Sequence, residues 1–430
     1  MEKPVVITGM GLVGPIGQNI NEFTSALKNG ESGIGWLEKS SASSITVKIG
    51  AEIRDFSFKS GLLQYSPWDS QYGEGILQRA EQCAHRSPLT VQTSVLSALE
   101  AWQGARLHQG NISPYRFGLV IAGNNLNQQY PFDFYQKINQ SPEYLNPRYA
   151  LHYMDTDHLG TLSGIFEIRG EGFTLGGASA SGNAGIYKAY QLIQWGVVDA
   201  CMVVGGLTDL SPLELQAFYN LGAMGGKHFC NEPGKACRPF DKRHEGFIYG
   251  QAGGCLILES LESSKKRGVS SLAEILGGSL VLDGNRLPDP SEDGEVRAME
   301  SALSMSKVSA DQVDYLNTHG TSSPLGDETE MRAVRRVFKD ILPHVWINAT
   351  KGLTGHCLCS AGVVECIATI IQMKEGFVHP NVNLENPIDS QCRWVGPASV
   401  QADIQIAMSN SFGFGGINST IILKKGTEYR

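Results

Sequence analysis

Short β-rich apolar runs alternate with helical patterns along the whole chain, and this alternation limits the fold more than any other feature. Strand candidates are Val5–Thr8, Phe117–Ala122, Ala200–Gly205, Cys255–Glu259, Leu272–Leu280, Tyr315–Thr318, Val345–Asn348, Gln405–Ser409 and Ser419–Leu423. Helix candidates include Asn21–Lys28, Pro88–Gln103, Gly182–Trp195, Pro212–Leu221, Glu292–Met305, Asp327–Phe338 and Ala361–Lys374. Strands interleaved with helices in this way read as a layered α/β fold. Ser87-Pro88 and Ser211-Pro212 predict helix starts, with serine as the N-cap and proline at the first helical position.

A faint internal repeat overlies the alternation. Near Ser181-Gly182 a small-residue turn feeds an apolar helix that ends at Gly196, and near Ser360-Ala361-Gly362 a similar turn feeds one that ends at Gly376. Both helices run 14 residues from glycine to glycine, and a candidate reactive residue, Ser179 or His356, sits just before each. The charged stretch Glu259–Gly268 is the best join, dividing the chain into halves 1–260 and 261–430.

Composition removes several classes of function. The net charge of −8, with no basic block, argues against nucleic-acid binding. No apolar run reaches the roughly 18 residues that a membrane span needs. The start, Met1-Glu2-Lys3-Pro4, leads directly into a core strand rather than a signal peptide. Nine scattered cysteines predict reduced thiols in the cytoplasm rather than a disulfide scaffold, and Cys357-x-Cys359 lacks the spacing of a zinc site, so no metal is expected. Glycine, at 50 of 430 residues, exceeds the usual ~7% and predicts many tight turns and close backbone approaches.

Gly9-Met10-Gly11-Leu12-Val13-Gly14 fits a dinucleotide fingerprint after a strand. However, Pro15 and Gly17 fall where the binding helix should run, and no second strand with a terminal acid follows at the usual distance. A structural turn is the expectation here.

Four segments carry the chemistry. They are Gly176-Gly177-Ala178-Ser179-Ala180-Ser181-Gly182; Asn317-Thr318-His319-Gly320-Thr321-Ser322-Ser323-Pro324; Lys351-Gly352-Leu353-Thr354-Gly355-His356; and a glycine-rich turn between strands, Asn410-Ser411-Phe412-Gly413-Phe414-Gly415-Gly416. Singly, each has a plain structural explanation. Their joint order and spacing, with Ile7-Thr8-Gly9-Met10-Gly11 at the start and Arg238-Pro239-Phe240-Asp241 in the middle, resembles the β-ketoacyl synthases, condensing enzymes of fatty-acid and polyketide synthesis. The resemblance covers nearly the whole chain. It implies a thiolase-like five-layered α-β-α-β-α fold of two pseudo-symmetric halves, a homodimer, and an acyl carrier protein as partner. The substrate would arrive on the carrier's phosphopantetheine arm, with no cofactor held by the enzyme itself.

By the same resemblance, His319 and His356 fall on the family's two active-site histidines, Lys351 on its lysine, and Glu365 on the acid that pairs with it. Thr321 and Ser323 fall where hydroxyls bind the pantetheine arm. Phe414 falls on the gating phenylalanine, whose backbone N–H helps form an oxyanion hole, and Asn410 lies in a supporting position beside it. Ser179 falls where the family has its nucleophilic cysteine. None of the nine cysteines is close to Ser179 in sequence; Cys201, past the helix, is nearest. His244-Glu245 and Gln251-Ala252 also depart from the family's central loop, and Gly123–Gln129 is more polar than its usual acyl-pocket stretch.

A serine in that place separates two half-reactions. Acyl loading depends on a thiolate, whereas a serine hydroxyl needs an adjacent general base, and no third residue evident in the sequence orients a histidine for that task. Loss of CO₂ from a malonyl group needs only hydrogen-bond donors aimed at the thioester oxygen, which neutral His319 and His356 supply. The set therefore predicts decarboxylation of malonyl–acyl carrier protein to acetyl–acyl carrier protein without condensation. This resembles the serine-bearing ketosynthase-like decarboxylases of polyketide β-branching cassettes, which feed an HMG-synthase-like enzyme. Two alternatives stay open: a non-catalytic partner like the chain-length factors, and an enzyme that uses an acyl-serine.

Overall fold

The computed structural model describes residues 3–38, 45–72, 75–109, 112–138 and 141–427. The start at Met1-Glu2 and the last three residues of the C-terminal half lie outside the described residues. Eleven strands form one hydrogen-bonded sheet: β1 (Val5–Val13), β2 (Phe117–Ala122), β3 (Gly172–Leu175), β4 (Ala200–Gly205), β5 (Gly253–Ser260), β6 (Ala273–Leu282), β7 (Tyr315–Asn317), β8 (Trp346–Asn348), β9 (Arg393–Trp394), β10 (Ile406–Gly413) and β11 (Ile417–Lys425). Their spatial order is β9-β8-β7-β10-β11-β6-β1-β5-β4-β2-β3. Seven helices matter for the site: α1 (Leu89–Gly104), α2 (Thr156–Phe166), α3 (Ser181–Gln194), α4 (Pro212–Asn220), α5 (Glu292–Ser306), α6 (Pro324–Phe338) and α7 (Ala361–Glu375).

The repeat seen faintly in the sequence is plain in the strand pairing. From β1 outward, β1–β5 and β5–β4 pair antiparallel, then β4–β2 and β2–β3 pair parallel. From β6 outward, β6–β11 and β11–β10 pair antiparallel, then β10–β7 and β7–β8 pair parallel, with β9 added at the edge. The halves join where Val5–Ile7 of β1 pair with Ala273–Ile275 of β6.

Helices α3 and α7 touch strands of both halves and form the middle layer, with α1 outside β1 and β5 and α5 outside β6 and β11. Burial on both faces explains why β1, β2 and β4 are continuous apolar runs without polar alternation. It also explains why α7 is buried on every side from Ala361 to Met373. The two middle helices meet at equivalent glycines. A Cβ on Gly182 would lie 2.6 Å from the Val363 nitrogen, and one on Gly362 would lie 2.5 Å from the Asn183 nitrogen.

Three local expectations are corrected. The segment Gly9–Val13 is not a turn but the continuation of β1. Its glycines let α1 approach, since a Cβ at Gly9 or Gly11 would sit 2.1 Å from an α1 carbonyl oxygen. Helix α1 begins at Leu89 with Pro88 as an N-cap that makes no side-chain bond; the Ser87 hydroxyl turns back to the Cys83 carbonyl instead. Asn410–Gly413 belongs to β10, so the turn before β11 is shorter than expected. Helix α2 went unseen because Gly160 and Gly164 break its apolar pattern. Ser211 does cap α4, within a full capping box with Glu214.

Candidate active site

Ser179 sits on a tight helical turn, Ala178–Ala180, that runs directly into α3. Ala178 holds a φ of 47°, unusual for a residue with a side chain. The second half repeats this corner: Leu358–Ser360 turns into α7, with Leu358 at φ 54°. The structural counterpart of Ser179 is therefore Cys359, not His356, which lies three residues earlier. Cys359 is also a cysteine close to Ser179 in space, contrary to the impression given by sequence distance. It lines the same cavity, buried, its Sγ 3.6 Å from the Asn124 carbonyl oxygen.

His356 follows the one-turn helix Lys351–Thr354, and its Nε2 is 2.9 Å from Ser179 Oγ. Its Nδ1 accepts the backbone N–H of Leu358 at 3.3 Å. An N–H can point only at a lone pair, so the ring proton resides on Nε2 and His356 donates to Ser179. His319 lies two residues past the end of β7, with its ring centroid 5.5 Å from that of His356 and 5.7 Å from that of Phe412. Lys351 Nζ lies 3.4 Å from its Nδ1 and 2.5 Å from its carbonyl oxygen, and is also 2.5 Å from Glu365 Oε1. The ammonium thus occupies the lone pair of Nδ1 and leaves Nε2–H of His319 as the donor. Burial, then the nearby Lys351 charge, holds both imidazoles well below the usual histidine range, and His356 adds to the effect on His319. Burial raises Glu365 to about 7, against the pull of Lys351.

Sequence reasoning missed Glu330. From α6 its two carboxylate oxygens accept the backbone N–H groups of His319 and Gly320 at 2.7 and 2.8 Å, and Asn410 Nδ2 donates to it at 3.3 Å. It therefore fixes the loop that carries His319. Burial raises its carboxyl to about 7, opposed by those backbone bonds. An acid on the buried face of an amphipathic helix was the available signal.

The two histidines and Ser179 open into a cavity of about 620 Å³. Thr321, Ser323 and Phe414 line it; the Thr321 and Ser323 hydroxyls are 2.8 Å apart, and Phe414 is exposed against Phe218. The polar stretch contributes Asn124, Asn125 and Gln128 to the wall. The departures in the central loop serve structure: His244 pairs with Asp327, Glu245 accepts the Gly226 N–H, and Gln251 bonds Asp209. Among the described residues no group of three or more His, Cys, Asp or Glu is placed to hold a metal, and no helix is long and apolar enough to cross a membrane.

Models of the β-ketoacyl synthase N-terminal domain and C-terminal domain match residues 2–264 and 272–385. The chain belongs to the β-ketoacyl synthase family. It is 37% identical over 420 residues to the polyketide biosynthesis malonyl-ACP decarboxylase PksF of Bacillus subtilis (98% of this chain, 96% of the relative). It is 31% identical to 3-oxoacyl-[acyl-carrier-protein] synthase 2 of Coxiella burnetii, covering 99% of both. Among solved structures, a β-ketoacyl synthase from Burkholderia phymatum matches with a TM-score of 0.85 at 26% identity, over 99% of this chain and all of that one. The five-layered ketosynthase fold is thus shared along the full length, and the four sequence segments converge on one ketosynthase cavity.

Proposed function

We propose that this ketosynthase-family protein decarboxylates malonyl–acyl carrier protein to acetyl–acyl carrier protein and does not condense. The observation that carries the reading is the direction of the bond between Ser179 and His356. With its Nδ1 engaged by the Leu358 N–H, His356 donates a hydrogen bond to Ser179 rather than accepting one. Ser179 therefore lacks the base that a hydroxyl nucleophile requires, which weighs against the acyl-serine alternative. The intact pair of donors weighs against a non-catalytic chain-length-factor-like partner.

In this reading Thr321 and Ser323 guide the phosphopantetheine arm past Phe414. The thioester oxygen takes the place of the Ser179 hydroxyl before the two Nε2–H groups, with the Phe414 N–H as a third donor. As the malonyl C–C bond breaks, its electron pair moves onto that oxygen, CO₂ leaves, and the enolate is held by the donors. One preorganised donor of this kind is typically worth ~2.7–4 kcal/mol. Lys351, held by Glu365, keeps both imidazoles neutral and correctly tautomeric. The enzyme holds no cofactor of its own. The malonyl-ACP decarboxylase name carried by PksF supports the substrate class. The product would supply acetate for β-branching in polyketide synthesis, and the protein would work as a cytoplasmic homodimer.

Incubation with malonyl–carrier protein followed by intact-mass measurement tests the reading. Malonyl should become acetyl on the carrier while the mass of the enzyme stays constant. An acylated enzyme, or a carrier bearing a lengthened chain, would sink it.

A further inference from the structure

The enolate must gain a proton to become acetyl, and neither imidazole has a surplus one to give. The cavity wall holds another candidate. Glu295, in the first turn of α5, lines the same cavity as His319, His356 and Ser179, is 1% exposed, and its Oε2 has no hydrogen-bond partner among the described residues. Its neighbours make it a poor place for a negative charge. Glu330 and Asp283 are the acids whose charges act on it most, and Oδ2 of Asp283 is likewise buried and without a hydrogen-bond partner among the described residues. Asp283 packs beneath the turn that carries Phe414: a Cβ on Gly416 would fall 2.8 Å from it, and its Oδ1 accepts from Asn418 at 2.7 Å. One helical turn beyond Glu295, Met299 meets Asn410, which itself bonds Glu330. The three carboxyls therefore line the side of the cavity next to the loop of His319.

A buried carboxyl without a cation or a set of donors stays protonated. We propose that Glu295 is the proton donor that converts the enolate to acetyl, an inference that rests on the decarboxylase reading. In this step the enolate collapses, C2 forms a bond to the Glu295 proton, the carboxyl O–H bond breaks, and the thioester C=O is restored. The Glu295 carboxylate left beside Glu330 and Asp283 then regains a proton from water, which completes the cycle without another reactant. Burial, then the charges of Glu330 and Asp283, pushes the Glu295 carboxyl well above its ordinary value; Arg332 on α6 opposes this and Glu292 on α5 adds to it. The proton is thus held to higher pH than on an ordinary carboxyl and is lost as the pH rises through that raised value.

The test follows turnover of malonyl–carrier protein by Glu295→Gln and Glu295→Ala together with the wild-type pH profile. Glu295→Gln should lower kcat at least ~100-fold, the low side of the ~10²–10⁴-fold typical of general acid catalysis, with KM little changed. The alkaline fall in the wild-type rate should vanish in this variant, and added formate should partly restore Glu295→Ala. Wild-type turnover in Glu295→Gln overturns the proposal, as does a slowed variant that keeps the same alkaline limb. If neither variant folds, a wild-type rate that is flat through the alkaline range overturns it and a fall supports it. Absence of CO₂ release from the wild type would instead strike the decarboxylase reading itself.

Discussion

The Nε2 proton of His356 determines what Ser179 can do. Because it points at the hydroxyl, Ser179→Ala should keep most of the CO₂ release. His319→Ala or His356→Ala should each lower it by ~10²–10³, the range for loss of one oxyanion donor; radiolabelled CO₂ trapping distinguishes these outcomes. The pH dependence on the acid side follows from the same geometry. Both imidazoles are held well below the usual histidine range, so they remain neutral as the pH falls through the ordinary value of about 6.5. The ring resonances of His319 and His356 should therefore not titrate from about pH 7.5 to 6 in NMR spectra, whereas an inflection near 6.5 would mean an unperturbed histidine. His319, His356, Lys351 and Ser179 were legible in the sequence because each sits in a contiguous motif with fixed spacing. Glu330 offered only its place on the buried face of an amphipathic helix, and Glu295 and Cys359 were not legible, because they reach the cavity from segments whose placement only the packed fold defines.

Among the elements, α3 and α7 carry the strongest demand on sequence. Each follows a short helical turn and opens on serine or alanine and then a glycine that must admit the other helix. Gly182→Val would drive its side chain into the backbone of α7. It should destabilise the protein by more than the ~1–3 kcal/mol usual for core overpacking, read as a lowered midpoint in urea. Both helices were visible in the sequence through their apolar length and terminal glycines. The glycines of β1 were misread as a turn because no local signal says that a glycine serves a distant helix; only the contact with α1 does. Short edge strands such as β9, with two residues, carry too little pattern to be seen.

Across the whole molecule, one hydrophobic cluster contains Leu12 and Val203 from the first half and Ile421 and Leu423 from the second, around Ile186, Val363 and Ile367 of the middle helices. Halves that share a core should not melt separately. Calorimetry and far-ultraviolet circular dichroism should give one coincident transition, and two resolved transitions would show 1–260 and 261–430 to be independent domains. The twofold likeness of those halves also has a chemical consequence at the corners where their helices begin. On the cavity wall one corner presents oxygen and the other, at Cys359, sulfur. An electrophilic warhead on a pantetheine mimic would accordingly find its anchor at Cys359, on the half opposite to Ser179. A carrier protein could be tethered there for structural work with Ser179 left untouched.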